Sequence, residues 1–546
     1  MKKFTSFIAM VIVFAMTIGC SATDDAWKDN IGTVNLDLMS VTGNGISIDG
    51  NIVKIISGGD FTITGTLADG MIYVNADSKV KLRLSGCSIT NSTGPAIYFD
   101  DVEEGLVTIT ENTENFIEDG STYTDDGANA ALFSNDDLEI KGNGTLTVTA
   151  NYKHGIASDD DLLIENGNII IKSNEHGIKV NNTLHITGGN ITVKTQTGKG
   201  MKAEQELVID NGNIVIDSFD EGIESKGTLV INGGNIDITS AEDGINTGMA
   251  DTSENQIETD NSQGKEEHMR ENMTPPQTPQ GDSDSQMQQP QMRGGREGKM
   301  PNGEMSDDRI PPSTDYQAGK RPDGNMPKNN NGDGSERQQN MTPPQNSENN
   351  QSIERQQRPM AGGMGKIDEE TAKAHSITIN DGYIYIKADG DGIDSNGNLT
   401  INGGTVIIDG PTRNGDGSLD SEGTMSITGG TVLTVSNGGM VQMPANQQGQ
   451  HILSISLANK QPAGTQIAIK DADGNELIKY TSVKEFGRIL FFNEEIKEDS
   501  EYTLYINGEE NITVTAGANS FGTSGKMQGG RQGGFDEQNQ LVTISA

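Results

Sequence analysis

Apolar residues in this chain fall in short alternating runs separated by glycine turns. Leu184-His185-Ile186 and Ile191-Thr192-Val193 alternate with period two, as do Leu207-Val208-Ile209 and Ile214-Val215-Ile216. Asn166-Gly167, Gly188-Gly189, Asn211-Gly212 and Gly233-Gly234 punctuate them. Period-two alternation bounded by such dipeptides predicts strands and turns, not helices. The pattern also repeats at a longer period. Gly-Ile steps recur at Gly155-Ile156, Gly177-Ile178, Gly200-Met201, Gly222-Ile223 and Gly244-Ile245, with successive spacings of 22, 23, 22 and 22 residues. Three short strands per 22 residues make one coil of a single-stranded parallel β-helix, an all-β solenoid in which each coil buries its inward Ile, Leu and Val against its neighbours.

Ile97 and Leu132 fit as earlier members, 35 residues apart, which implies an extra loop of about 13 residues near 112–129. Residues 30–248 form the first part of the solenoid, with Phe61–Thr64 and Met71–Val74 in its opening coils. The member after Ile245 is Ile393, 148 residues on, so an insert of 126 residues at 249–374 leaves one coil and returns to it. That stretch holds 12 of the 16 prolines and 11 of the 21 methionines, and reads as disordered low-complexity chain. The solenoid resumes over 375–445. Longer strands follow over 450–516 (Ile452–Leu457, Ile467–Lys470, Ile489–Phe492, Tyr502–Ile506) and read as a small C-terminal β cap over an otherwise open sheet edge. Residues 517–546 return to Gly/Gln-rich chain. Asn168, Asn190, Asn213 and Asn235 follow the turns in register and are expected to stack as an amide ladder.

Composition changes this picture in two places. Only 32% of the 546 residues are hydrophobic, which suits a solenoid with about one inward residue in three. The net charge of −40 repels nucleic acid and anionic membranes over most of the surface. At the N-terminus, Lys2 and Lys3 precede an apolar run, Phe7–Ile18, that is too short to span a bilayer. It ends in Thr17-Ile18-Gly19-Cys20, which resembles a bacterial lipoprotein cleavage box over residues 1–20, with Cys20 as the lipidated residue. The expected location is extracytoplasmic, with the membrane reached through the lipid anchor only. Cys87 then has no partner and reads as a small buried residue.

Outward positions in register carry the candidate chemistry. Two residues before each repeat member stand His154, His176, Lys199, Glu221, Asp243 and Asp391; one residue after stand Ala157, Lys179, Lys202, Glu224, Asn246, Asp394 and Asp420. Glu175, Asp220, Glu242, Asp389 and Asp416 share the edge. Both columns run from basic to acidic. Acids stacked at about 4.8 Å repel unless they splay into water or hold a cation. Calcium suits oxygen ligands in flexible turns. Its candidate ligands are Asp220, Glu221, Glu224, Glu242, Asp243, Asp389, Asp391, Asp394, Asp416 and Asp420; the competing reading is a solvated acidic edge. His154, His176, Lys179, Lys199 and Lys202 are candidates to meet a ligand's carboxylates, or are simply solvated. His154 and His176 have too few acidic neighbours for zinc. Methionines of the insert could bind copper(I), but linker or interaction surface is the commoner use. No nucleophile elbow, Walker loop or dinucleotide fingerprint appears.

Ser92-Thr93-Gly94-Pro95-Ala96-Ile97, Asp119-Gly120-Ser121-Thr122-Tyr123, Asn129–Ser134 and His154–Ser158 resemble the bacterial carbohydrate-binding parallel β-helix proteins. That resemblance implies a right-handed, pectate-lyase-like β-helix with bound calcium that binds polysaccharide (cellulose or acidic, pectin-like chains) without catalysis. The family's Asp-Gly-Ile turns match Asp243-Gly244-Ile245 and Asp391-Gly392-Ile393; His154, His176 and Lys199 depart from them. Two alternatives stay open. A pectate-lyase-like elimination would need calcium acids beside a Lys or Arg base. An envelope structural or adhesion protein would use the insert to recruit other envelope proteins.

Overall fold

A computed structural model describes residues 25–124, 127–248, 368–413, 415–437, 442–444 and 452–516. Cys20 and the apolar leader, almost all of the insert, and the Gly/Gln-rich tail lie outside the described residues. No helix among the described residues is long and apolar enough to cross a membrane.

The described chain is a parallel β-helix of about 11 turns with three faces. One coil shows the plan. Ile178–Val180 lies in face 1, Thr183–Ile186 in face 2 and Asn190–Thr195 in face 3. Each strand pairs in parallel with its counterpart one coil on: Ile178 with Met201, Leu184 with Leu207, Ile191 with Ile214. Face 1 is a 12-stranded ladder, parallel throughout except for the hairpin Ile46–Asp49 with Ile52–Ile55 that begins it. Faces 2 and 3 are joined near the N-terminus. There the long strand Val80–Thr90 pairs with Gly105–Ile109 through its first half and Glu114–Glu118 through its second.

Inward Ile, Leu and Val from all three faces form one continuous core along the axis. The repeat glycine is fixed by the stacking itself. A Cβ on Gly177 would lie 2.2 Å from Val193 Cγ1 and 2.6 Å from Gly200 O, and Gly155, Gly200, Gly222, Gly244 and Gly392 meet the same obstacle in the next coil. Cys87 is buried and free, and burial pushes its thiol up to about 12.

The expected register holds across the insert: Ile245 pairs with Ile393, and Asn246 with Asp394. Three expectations need correction. Glu114–Glu118 is a strand of face 3, not loop, so the extra residues of that coil lie after it. Polar Asn115 points inward there, fully buried, accepting from the Gly86 and Cys87 N–H groups and donating to Thr145 O. The last residues given to the insert form a helix, Glu369–Ala374, N-capped by Asp368, whose side chain accepts from Thr371 N–H. Within the proposed amide ladder only Asn235 and Asn213 bond to each other, at 2.7 Å. The continuous ladder runs at the neighbouring corner, where Asn232 donates to Asp210, Asn380 to Asn232, Asn402 to Asn380 and Thr428 to Asn402, all at 2.7–2.8 Å.

At the C-terminal end Phe486–Asn493 pairs antiparallel with Thr431–Ser436 and with Ile452–Gln461, extending face 3 over the end of the core. Strands Gln466–Asp471, Glu476–Thr481, Glu501–Ile506 and Glu509–Thr515 complete the cap as a second sheet. Buried Asp409 locks the two together by accepting from Tyr385 Oη, Tyr480 Oη, Ser482 Oγ and the Val483 N–H.

Candidate functional site

Face 1 strands are three residues long from Ile178–Val180 on, and five or six in the coils from Met71 to Ser158; one outward position continues in register through both. In register these are Tyr73, Tyr98, Phe133, Ala157, Lys179, Lys202, Glu224, Asn246, Asp394 and Asp420. Parallel pairing at about 4.8 Å per coil makes a column that changes from aromatic to basic to acidic along one straight edge.

Tyr98 and Phe133 stand one residue after the members Ile97 and Leu132, as the sequence allowed; Tyr73 joins the column only once the irregular early coils are placed in register. Tyr98 packs edge-on to Tyr73, with centroids 5.8 Å apart, and tilted against Phe133 at 5.6 Å. Tyr73 and Tyr98 both donate their hydroxyls to Asp100, at 2.5 and 2.7 Å. Beside them Tyr123 stacks on Tyr152 with centroids 4.3 Å apart and donates to buried Asp119.

The turn before face 1 carries the second column. His154 and His176 are not the exposed cations expected. Their rings stack 4.9 Å apart, and both are at least nine-tenths buried. His154 Nδ1 accepts the N–H of His176 at 3.3 Å, and His176 Nδ1 accepts that of Lys199 at 3.0 Å. Burial first, then nearby His and Lys charges, holds His154 well below its usual range and His176 at about 3. A neutral ring accepting at Nδ1 carries its proton on Nε2, so neither ring offers charge or a metal lone pair.

Lys199 is engaged as well. Its ammonium lies 2.5 Å from Glu221, 3.3 Å from Glu224 and 3.4 Å from Asp220. Burial alone would depress Lys199, but these three carboxylates outweigh it and raise its pKa. Lys226 adds a second partner to Glu224 at 3.0 Å, and buried Lys202 pairs with Glu204 at 2.7 Å. Asp220, Glu221 and Glu224 are therefore offset by two lysines, which leaves one net negative charge in this coil, and the Lys199 ammonium stands where a cation would have to sit. Lys179, half-buried, has no carboxylate partner among the described residues.

The last coils differ. Asp243, Asp391 and Asp394 each bring a carboxylate oxygen within 4.8 Å of the others. No lysine or arginine among the described residues pairs with any of the three. Asp243 accepts the Asp391 N–H at 2.7 Å and Asp391 accepts that of Gly417, repeating the bridge made by the histidines. Burial chiefly, with mutual repulsion, pushes Asp394 up to about 8; burial likewise lifts Asp243 to about 7 and Asp391 to about 6. Asn246, in register beside Asp394, is buried with its Oδ1 lacking any hydrogen-bond partner. The flanking acids are less available. Glu242 lies 3.9 Å from Arg413, Asp389 pairs with Lys484 at 2.7 Å, and Asp420 receives the Gln442 amide; Asp416, half-buried, adds its negative charge beside Asp391. A hard divalent cation fits this group of unneutralised oxygens, and does not fit the coil that Lys199 occupies.

Two stretches, residues 49–206 and 197–262, match the family model described as carbohydrate-binding domain-containing protein. A carbohydrate-binding domain-containing protein of Acetivibrio thermocellus is 31% identical over 188 residues, covering 32% of this chain and 65% of the relative. The chain thus spans just under two thirds of that relative's length. Among solved structures, the polysaccharide lyase-like protein from C. thermocellum (a gadolinium derivative) shares 31% identity with a TM-score of 0.38, over 40% of this chain and 94% of that one. Residues 49–262 are therefore similar to the carbohydrate-binding domain-containing protein family, the likeness the sequence motifs led us to expect.

Proposed function

We propose that this protein binds polysaccharide along face 1 and its preceding turn, outside the cytoplasmic membrane, where lipid on Cys20 tethers it. The observation that supports this reading most is the Asp243, Asp391 and Asp394 cluster, whose charge no side chain among the described residues offsets. Calcium held by these three carboxylates and Asn246 Oδ1 would supply positive charge for the carboxylates of an acidic, pectin-like glycan. At the aromatic end the half-buried Tyr73 and Tyr152, backed by buried Tyr98 and Phe133, suit the apolar face of neutral sugar residues further along the same chain. Aromatic stacking and divalent bridging then act on one extended ligand laid parallel to the solenoid axis.

Binding without catalysis fits better than elimination. A lyase base must be free and close to the metal acids: Lys199 and Lys202 are both committed to carboxylates, and Lys179, which has no such partner among the described residues, stands four coils from Asp394. Sedimentation with insoluble polygalacturonate, cellulose and a neutral galactan, with calcium or with chelator, tests the reading. Calcium-dependent pelleting with polygalacturonate is expected. Equal pelleting in chelator removes the calcium bridge, and no pelleting with any glycan removes the function. Release of unsaturated uronides would overturn the non-catalytic assignment.

A further inference from the structure

The two ends of the solenoid are finished differently. At the C-terminal end Leu490 and Phe492 of the cap join the solenoid core and close it. At the N-terminal end Met39, Val41 and Ile46 lie against the core and are only partly buried. The three most exposed large apolar side chains among the described residues belong to these same first coils: Leu38 at 75%, Ile31 at 72% and Ile56 at 63%. Ile31 and Ile56 flank one knot, in which Asn30 donates to Asn44 O at 3.0 Å and to Gly58 O at 2.7 Å. Leu38 follows the other end of the strand that Ile31 begins, its N–H bonded to Asn35 Oδ1. The apolar side chains thus stand around the first coil and do not line one groove, an arrangement suited to a flat partner.

Charge is low at this end as well. Between residues 30 and 58 only Asp37, Asp49 and Lys54 are charged, and Lys54 pairs with Asp49 at 2.6 Å, in a chain of net charge −40. An anionic surface is repelled by most of the molecule and least by these coils. The reach of the tether decides which end meets the membrane. Cys20 stands five residues before Asp25, the first described residue, and five residues span at most about 18 Å. About 11 coils at about 4.8 Å each run to about 50 Å. Lipid on Cys20 would therefore hold the N-terminal coils against the membrane and leave the C-terminal coils clear of it. Ser21-Ala22-Thr23-Asp24 bring no large apolar side chain to cover Ile31, Leu38 and Ile56 instead.

We propose that the first coil is a membrane-docking end: Ile31, Leu38 and Ile56 enter the boundary between headgroups and acyl chains of the bilayer that carries the anchor. The proposal rests on the tether read at Cys20, and makes the lipid the attachment and the first coil the contact. Apolar side chains at such a boundary sit about 5–10 Å deep, a distance that one or two coils cover. The solenoid then stands out from the membrane. Asp243, Asp391 and Asp394, in its late coils, lie far from the bilayer, on the side from which a glycan outside the cell arrives.

Trp27, the chain's one tryptophan, packs beside Gly58 at this end, so its emission reports the contact. Residues 21–546 with an N-terminal histidine tag are held on phosphatidylcholine vesicles by a nickel-chelating lipid, which supplies the tether whether or not Cys20 is lipidated. Emission should fall on vesicles with brominated acyl chains and not on unbrominated ones. The triple variant Ile31→Ser, Leu38→Ser, Ile56→Ser should lose that fall while staying bound and keeping the wild-type Tm. No bromine quenching of fully bound wild type, or equal quenching in the variant, overturns the proposal. So does a dimer in vesicle-free solution that the variant abolishes, which gives this end to a second copy of the chain. Mass spectrometry of the N-terminal peptide from cells tests the natural tether separately: an unmodified Cys20 removes the lipid anchor, and the quenching still decides whether the end docks.

Discussion

At position 199 the turn column carries a lysine where, two coils later, it carries Asp243, and the electrostatics of the two coils diverge from that exchange. The Lys199 ammonium gathers Asp220, Glu221 and Glu224. Asp243, Asp391 and Asp394 have no such centre. Removing one partner from a buried charge cluster leaves the others desolvated and unpaired, so Lys199→Met should lose about 3 kcal/mol in urea denaturation. Millimolar calcium should recover part of that loss in the variant, because the freed carboxylates then form a second cation site; a loss that calcium leaves untouched would mean that the two coils are not equivalent. The histidine stack makes a separate prediction. His176 folds with its pKa depressed by burial to about 3, from the usual 6.5. Its contribution is thus present above pH 6.5 and is lost as pH falls toward 3, since the unfolded chain takes up the proton that the fold refuses. Wild type should therefore lose Tm relative to His176→Gln between pH 7 and pH 4. A constant difference across that range would place the stack outside the acid response.

Elements on this solenoid were legible where an apolar residue recurs at the coil period, and obscure where polar bonding decides the structure. The Ile178, Met201, Ile223, Ile245 and Ile393 column could be read directly, because inward positions must repeat for coils to stack. Glu114–Glu118 was missed because its inward Asn115 breaks the alternation, and only three-dimensional neighbours reveal that its amide is satisfied. The helix Glu369–Ala374 did leave a signal, Asp368 as N-cap with Glu369 and Lys373 four residues apart, but the low-complexity composition before it masked the signal. The amide ladder was placed one corner away from its true position, since asparagine in register says nothing about which neighbours lie within bonding reach. Asn380 bonds both ways along the true ladder, to Asn232 and Asn402. Asn380→Ala should cost about 1 kcal/mol, against less than about 0.5 kcal/mol for Asn190→Ala. Equal costs in denaturant titrations would return the ladder to the position first expected.

Across the whole molecule, nearest-neighbour stacking explains how one coil can open for more than a hundred residues without loss of register. Thr247 accepts from Asn396 through both its hydroxyl and its carbonyl, and its own hydroxyl donates to His375 O at 2.8 Å; Asn398 N–H donates to Ala372 O. The coil is thus closed by residues on both sides of the excursion. Replacing residues 251–364 with a short Gly-Ser linker should leave Tm within a few degrees and a single cooperative transition in calorimetry. Two separate transitions would show that the insert is needed to couple the two parts of the solenoid. The same linear stacking turns local charge into a graded edge, so that a net charge of −40 hides an aromatic, an ion-paired and an acidic stretch on one face. Whether that edge works as a calcium-bridged glycan site is tested most directly by affinity electrophoresis through gels containing polygalacturonate, comparing wild type with Asp394→Asn in calcium and in chelator. The account predicts strong retardation of wild type in calcium, and equal, weak retardation of both proteins in chelator and of the variant in calcium. Retardation of wild type that neither chelator nor Asp394→Asn reduces would contradict it.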